Sequence, residues 1–562
     1  MFAHDALLAL VLGAAGTWLW LRHAAAWGLG TVADVLGYDA AQYAVAAREL
    51  ATQGRLATLF ALPIDLARHA PPPWPLSLVQ PGLVLVEAAL FRIAGVDEPG
   101  RLARVVVAPS LACYLATGVL LAWTARRILE LRARDTSALE RSAAAFVVGL
   151  AFLLDPLAQH YAAGGLTEMP FTLGLAAIVM SLGLGAVASP FAFGLMLGVA
   201  GLFRGNMLWL APMLAIAMAF QSSGSRARRA GLALAGYAAV LAPWWIYKSL
   251  AFGNPAWDLS ALSLWDGIGG RTWFSLNHLP ELPEAPPGAF GAVLAKMGRS
   301  LPQLLLQLAV GPRTLWMAAL VCSAAGFARH RSAEQRDASI VETTTSWALL
   351  AVFVASIVVA SATDPLLRYV TPARLVAEAA GLLATWALVW RAPGEWSSPR
   401  IRRVLAVAIA VLALGWGTLE TVRGIREASG AAPERGVPTT VQLQDLSSRL
   451  DRELRPGEPV MSNLGPSLAW HARRPVIHLA LTPADVEACR RKLPFRAVVL
   501  AFRSADRAWP GWVELVDRPD DALHHPEWNV RSVRHWTTPD GFMIVWLDLG
   551  PLGSPLASAA LR

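Results

Sequence analysis

Cysteine and charge are both scarce in this chain, and each scarcity excludes something. The three cysteines, Cys113, Cys322 and Cys489, lie in two apolar runs and a polar tail. Neither a disulfide framework nor a zinc cluster can be read from that spacing. Charged residues are 16% of the 562 positions and hydrophobic ones 55%, with a mean hydropathy of +0.45. That balance excludes a soluble enzyme and describes a polytopic membrane protein. Lysine and arginine are absent from Met1–Asp5, so the first apolar stretch lacks the charged start of a signal peptide and reads as a retained span. The net charge of +8 sits in arginines between spans. Topology explains it, and no nucleic-acid partner is expected.

Apolar runs of spanning length fall near 6–27, 103–125, 143–160, 170–188, 190–204, 206–221, 230–248, 302–326, 343–361, 372–390 and 403–422, about eleven in all. Four loops are rich in arginine: Arg126, Arg127, Arg132, Arg134 and Arg141; Arg226, Arg228 and Arg229; Arg329, Arg331 and Arg336; and Arg391, Arg400, Arg402 and Arg403. By helix parity all four share one side, which the positive-inside rule makes cytoplasmic. The expected location is a bacterial inner (cytoplasmic) membrane with the N-terminus inside. The domains are then a membrane module, 1–424, and an extracytoplasmic α/β domain, 425–562. The module carries a first outer loop, 28–102, and an aromatic outer loop, 249–300.

Because charge is rare, single acids stand out. Glu168 lies in Gly164-Gly165-Leu166-Thr167-Glu168-Met169-Pro170-Phe171, between two apolar helices. A carboxylate there is costly unless it meets water, a cation or a substrate. The plain alternative is a helix N-terminus, whose dipole favours a negative charge. Asp39, in Gly37-Tyr38-Asp39-Ala40-Ala41-Gln42-Tyr43 after the first span, falls on the same outer side.

The first outer loop is not a plain linker. Asp39–Leu50 has helical character, Pro71–Pro75 is extended, and Leu76–Ile93 reads as a helix at the membrane interface despite Glu87 and Arg92. The 249–300 loop carries Trp257, Trp265, Trp273, Phe274 and Phe290, which suit either an interfacial anchor or a sugar-binding face. In the tail, Val441–Leu454, Ser467–Ala472 and Pro483–Lys492 read as helices. Pro459–Ser462, Val476–Leu479, Ala497–Phe502 and Phe542–Leu547 read as strands. The tail has no G-x-G-x-x-G and no P-loop, so no nucleotide site is expected in it.

On an outer membrane face nucleotide sugars are absent, and an activated substrate has to arrive from the lipid phase. A polyprenyl-phosphate sugar fits. Transfer from it needs a carboxylate base, for which Asp39 is the candidate. It needs a cation for the departing phosphate, for which Arg101, Arg204, Lys248 and Arg368 are candidates. It also needs a groove for the lipid. Glu168 would orient the acceptor or, with Asp39, bind a divalent cation. No other cofactor is expected. The acceptor is left open as lipid, glycan or protein, and membrane lipids are the surrounding partner.

Several motifs together resemble one family. Tyr38-Asp39-Ala40-Ala41-Gln42-Tyr43-Ala44 is followed by Leu50, Gly54 and Leu56. Pro71–Pro75 precedes Leu90-Phe91, Gly95 and Arg101-Leu102. Then come Thr167-Glu168-Met169-Pro170, Pro243-Trp244-Trp245 with Phe252-Gly253-Asn254-Pro255, and Arg368-Tyr369 with Pro372. In this order they resemble the GT-C glycosyltransferases, and within them the bacterial relatives of protein O-mannosyltransferases and lipid A aminoarabinose transferases. The resemblance implies a GT-C-like helical membrane fold and an inverting transfer from a polyprenyl-phosphate sugar. It makes Asp39 and Glu168 the catalytic acids; Tyr43 and Tyr369, which lie in these motifs, are further candidates for substrate binding. One departure is Ala40, where many relatives have a second acid. Asp34 is a nearby spare outside the motif.

A transporter or flippase is the alternative, since isolated intramembrane acids such as Asp155 suit it. The chain lacks the internal repeat such proteins show, and a transporter has little need of a soluble outer domain. The topology is directly testable. A C-terminal fusion to a reporter that folds only outside the cytoplasm should be active, and activity of a cytoplasm-only reporter there would invert the whole scheme.

Overall fold

A computed structural model describes residues 2–26, 36–95, 99–132, 136–185, 189–221, 224–309, 312–326, 336–391, 398–430, 438–503, 510–525, 528–539 and 541–551. The chain divides into two compact units. The first comprises Met1–Leu29, Val107–Tyr247 and Val293–Pro433; the second comprises Gly30–Val106, Lys248–Ala292 and Glu434–Arg562.

The first unit is helical. Among the described residues six helices are long and apolar enough to cross a membrane: His4–Ala26, Arg104–Leu131, Arg226–Phe252, Thr344–Ala362, Leu367–Trp390 and Pro399–Glu427. Two bent pairs raise the number to eight if each is one span: Ala138–Leu153 with Pro156–Ala163, bent by 59°, and Ala289–Leu308 with Arg313–Cys322, bent by 103°. The eleven spans expected from the sequence are not reproduced by length and composition. The windows at 170–188, 190–204 and 206–221 became Glu168–Gly183, Pro190–Phe203 and Met207–Phe220, of 16, 14 and 14 residues. At 1.5 Å per residue these reach only about 21–24 Å, short of a ~30 Å hydrocarbon core.

The breaks have local causes. Pro156 supplies no N–H to the helix before it, and the Leu157 and Ala158 N–H groups turn to the Asp155 carboxylate, which leaves the Leu153 and Leu154 carbonyls to find other partners. Leu153 O accepts from the Tyr114 hydroxyl and from Gln159 Nε2 at 2.8 Å, and Leu154 O accepts from Thr421 Oγ1 at 2.7 Å. Irregular backbone within a membrane bundle is tolerable only when such partners exist. Elsewhere the backbones touch. A Cβ on Gly194 or Gly236 would overlap the carbonyl of Ala233 or Phe191, so Pro190–Phe203 and Arg226–Phe252 cross at a small-residue contact. Between the helices lies a large apolar core that includes Leu12, Tyr114, Phe152, Met169, Leu214 and Trp386.

The second unit is built on a sheet. A short hairpin pairs β1 (Ala57–Thr58) with β3 (Trp74–Pro75), while β2 (Phe60–Ala61) joins a larger sheet with β4 (Val460–Ser462), β5 (Val476–His478), β6 (Ala497–Phe502), β7 (Val530–Thr537) and β8 (Met543–Leu549). The order is β2-β5-β4-β6-β8-β7. The pairs β2–β5, β5–β4 and β4–β6 are parallel, and β8 and β7 close the other side antiparallel. The strands expected in the tail are present within a residue or two. β7 and the contribution of β2 from the first loop were not expected.

The helix Tyr38–Gln53 packs on Pro81–Ala94 and on Gly465–Ala472. Arg48 is its anchor. Its guanidinium donates to Trp470 O at 2.5 Å and Ala469 O at 3.0 Å, and lies 4.9 Å from the Trp470 ring. The last carbonyls of a helix carry partial negative charge, so a cation there is favoured. Burial still draws the Arg48 pKa down to about 10.

The segment read as an interfacial helix is Pro81–Ala94, 14 residues long. Its Glu87 is fully buried, and neither carboxylate oxygen has a hydrogen-bond partner among the described residues. Burial raises its pKa well above 4.5. The folded state therefore takes up this proton more readily than the unfolded chain. Glu87 costs least at low pH, and stability is lost as pH rises through its folded pKa. Glu87→Leu should stabilise the protein by about 1–3 kcal/mol at neutral pH, with the difference from wild type shrinking toward pH 4.5. Thermal unfolding in detergent across pH measures both, and a lower midpoint for the variant at pH 7 would contradict this account.

Candidate active site

Glu168 is the first residue of the helix Glu168–Gly183. The chain reaches it through Gly165, whose φ of 65° suits glycine, and Ser110 Oγ fixes the turn by donating to Leu166 O at 2.8 Å. No side-chain cap closes this helix, and the Glu168 carboxylate is not used as one. It is fully buried and bound by two arginines through a single oxygen, Oε1. Arg204 Nη1 lies 2.7 Å away, and Arg368 Nε donates to the same atom. The other oxygen, Oε2, is buried and makes no hydrogen bond among the described residues.

Three helix ends supply this cluster. Arg204 closes Pro190–Phe203 in an extended conformation. Arg368 lies in the first turn of Leu367–Arg391. The Arg204 guanidinium lies 5.5 Å from the Tyr369 ring, a cation–π contact. Arg204 is 8% exposed and Arg368 28%. One carboxylate and two guanidinium groups leave a net positive charge, with Arg368 the more open of the two. That is chemistry for an anion. A carboxylate already held by two cations has no charge to spare for a divalent ion, so Glu168 does not suit a metal ligand. Among the described residues no three His, Cys, Asp or Glu side chains group as metal ligands would.

Four of the sequence candidates thus meet in the first unit: Glu168, Arg204, Arg368 and Tyr369. The others lie elsewhere. Asp39, partly buried, is in the first turn of Tyr38–Gln53 in the second unit, and Tyr43 is buried one turn further along. Lys248 is buried, with Nζ 3.7 Å from Asp258 Oδ2. Arg101 is in the first turn of Pro99–Arg132, and its side chain falls outside what is described. Asp34 lies outside the described residues.

Asp155 is not the isolated acid it looked to be. Its Oδ1 caps Pro156–Ala163, accepting from Leu157 N at 2.9 Å and Ala158 N at 3.0 Å, and its Oδ2 meets Arg374 at 2.7 Å and Arg313 at 3.1 Å. Glu378 and Glu420 complete the network around Arg313. Sequence reasoning missed these partners. The readable signal was Arg374 and Glu378 four residues apart in an apolar run, the spacing of a helical ion pair. An acid so engaged holds a helix break.

No family model and no curated protein matches the chain. Solved structures do. The oligosaccharyltransferase of Archaeoglobus fulgidus, in complex with zinc and sulfate, aligns over 94% of this chain and 72% of its own, with TM-score 0.54 and 13% identity. ArnT from Cupriavidus metallidurans in the apo state aligns over 96% and 100%, with TM-score 0.51 and 14% identity. The archaeal enzyme AglB in complex with an inhibitory peptide and a dolichol-phosphate gives 96%, 75%, 0.51 and 13%. These are GT-C glycosyltransferases, and this chain is a multi-pass membrane protein with the GT-C fold.

Removing the central carboxylate should cost more than removing one arginine. Glu168→Gln leaves two guanidinium groups facing each other in a buried site, and a loss of about 3–5 kcal/mol is expected. Adding Arg204→Met to that variant should recover part of it. Thermal unfolding in detergent of wild type and both variants decides this; a double variant no more stable than the single one would deny that charge pairing holds the cluster.

Proposed function

We propose that the protein transfers a sugar from a polyprenyl-phosphate donor to a hydroxyl acceptor at the extracytoplasmic face, with inversion. The observation that carries this reading is the Arg204–Glu168–Arg368 cluster, a buried cationic site whose most open member is an arginine. Arginine holds a phosphate through two parallel N–H donors. Glu168 keeps both guanidinium groups in place, and the charge it leaves over faces the phosphate. Support also comes from the GT-C relative solved with a dolichol-phosphate, a lipid of the proposed donor class.

In the reaction the acceptor oxygen forms a bond to the anomeric carbon while the carbon–oxygen bond to phosphate breaks. The acceptor proton passes to the Asp39 carboxylate, and the lipid phosphate leaves with the electron pair and is stabilised by Arg368 and Arg204. A single displacement of this kind inverts the anomeric centre. The first turn of a helix suits Asp39 as a charged base, because the dipole favours a carboxylate there.

Asp39→Asn keeps the shape and removes the base, so turnover should fall by roughly 10²–10⁴-fold with insertion unchanged. Asp34→Asn should have a smaller effect. The assay is transfer from a radiolabelled polyprenyl-phosphate sugar by purified variants at matched expression. Full activity in Asp39→Asn, with loss in Asp34→Asn, would move the base to the other acid; full activity in both would remove the acid-base reading.

A further inference from the structure

The helix carrying Asp39 begins without a conventional cap. Gly37 occupies the N-cap position, in extended conformation and without a side chain to hold the first N–H groups. Its carbonyl accepts from Ala41 N at 2.9 Å, the ordinary first helical bond. Tyr38, the residue immediately before Asp39, supplies a side-chain contact at this end of the helix.

Tyr38 is held by residues far along the chain. Its ring lies 5.3 Å from the His478 ring, tilted by 33°, and 5.8 Å from Phe60 in an edge-to-face contact. His478 is the last residue of β5, at the C-terminal edge of the parallel strands, and its own ring is fixed. Its Nδ1 accepts from Leu479 N at 2.8 Å, and His278 of the aromatic loop packs edge-on at 4.8 Å. Gly465 opens the neighbouring helix with φ 43°, and a Cβ there would press on Phe60, His478 and Tyr38 together. The first loop, the aromatic loop and the tail all meet at the His478 ring. Aromatic pairs of this geometry stabilise beyond what their buried area alone contributes.

We propose that His478 is a positioning residue for Asp39: its ring clamps Tyr38 and so sets where the first turn of the helix presents the carboxylate. The inference rests on the proposed function for its catalytic consequence, but its structural half stands alone. The burial that pushes the His478 pKa well below 6.5 keeps the ring neutral, and a neutral flat face is what the contact requires.

Two substitutions separate the ring from its hydrogen bond. His478→Asn keeps an acceptor for Leu479 N–H and removes the ring. His478→Phe keeps the ring and removes the acceptor. Each is placed in wild type and in an Asp39→Cys chain whose Cys113 and Cys322 are replaced by alanine, and unfolding midpoints are recorded for all. The first measurement is the rate at which a water-soluble maleimide labels the thiol introduced at position 39 in that background. It should change several-fold with His478→Asn and stay near the parent with His478→Phe. The second is sugar transfer in the chain that keeps Asp39. A base displaced by an ångström costs about 10²-fold, so His478→Asn should lower kcat by that order with the donor KM unchanged, and His478→Phe should recover most of it. Unchanged labelling in His478→Asn overturns the proposal, as does a His478→Phe variant impaired as severely as His478→Asn. If Asp39→Asn proves fully active, the proposed reaction fails, while the labelling rates still decide whether His478 sets the helix start.

Discussion

A carboxylate inside an apolar bundle must be neutralised where it stands, and Glu168 is neutralised by two arginines at once. Removing a charge from water costs several kcal/mol, which only close, well-made pairing recovers. That requirement fixes more than one side chain. The helix at Glu168 must start where Pro190–Phe203 ends and where Leu367–Arg391 begins, or a charge is left exposed to the apolar core.

Asp155 repeats the arrangement at another break, with a different result. Its carboxylate is divided between two backbone N–H groups and two arginines, and both oxygens are used. At Glu168 one oxygen carries both arginines and the other has no bond among the described residues. The first pattern uses both oxygens. The second leaves a positive balance beside a partly open arginine, the difference on which the proposed function rests.

Much of the fold was legible because it rests on local pattern. The tail's strands at Ala497–Phe502 and Val476–His478 are short apolar runs between turn residues, and the helix at Pro483–Lys492 starts with a proline in its first turn. The two informative acids stood out because their surroundings are so poor in charge. β7 was missed because Val530–Thr537 carries Arg531, Arg534 and His535 on an edge strand whose exposed positions hide the alternation. β2 was missed because two residues have no period of their own; only pairing with Val476 and Ile477 makes them a strand. The companions of Glu168 had been named, but as competing phosphate ligands. Charge partnerships between distant helix ends leave no trace in sequence spacing.

The pairing of β2 with β5 also imposes a schedule. Phe60 leaves the ribosome about 400 residues before Val476, a gap of about 20–80 s at ordinary rates of synthesis. Throughout that interval the segment around Asp39 has neither its sheet neighbour nor the carbonyls that receive Arg48. Non-local pairing of this kind is slow to form and leaves apolar surface uncovered while it waits. The membrane helices can insert one after another as they emerge, but the second unit is completed only when the last quarter of the chain arrives. A truncation that removes β5 would therefore take away more than a tail: it would strand the earliest-made loop without the partner that finishes it.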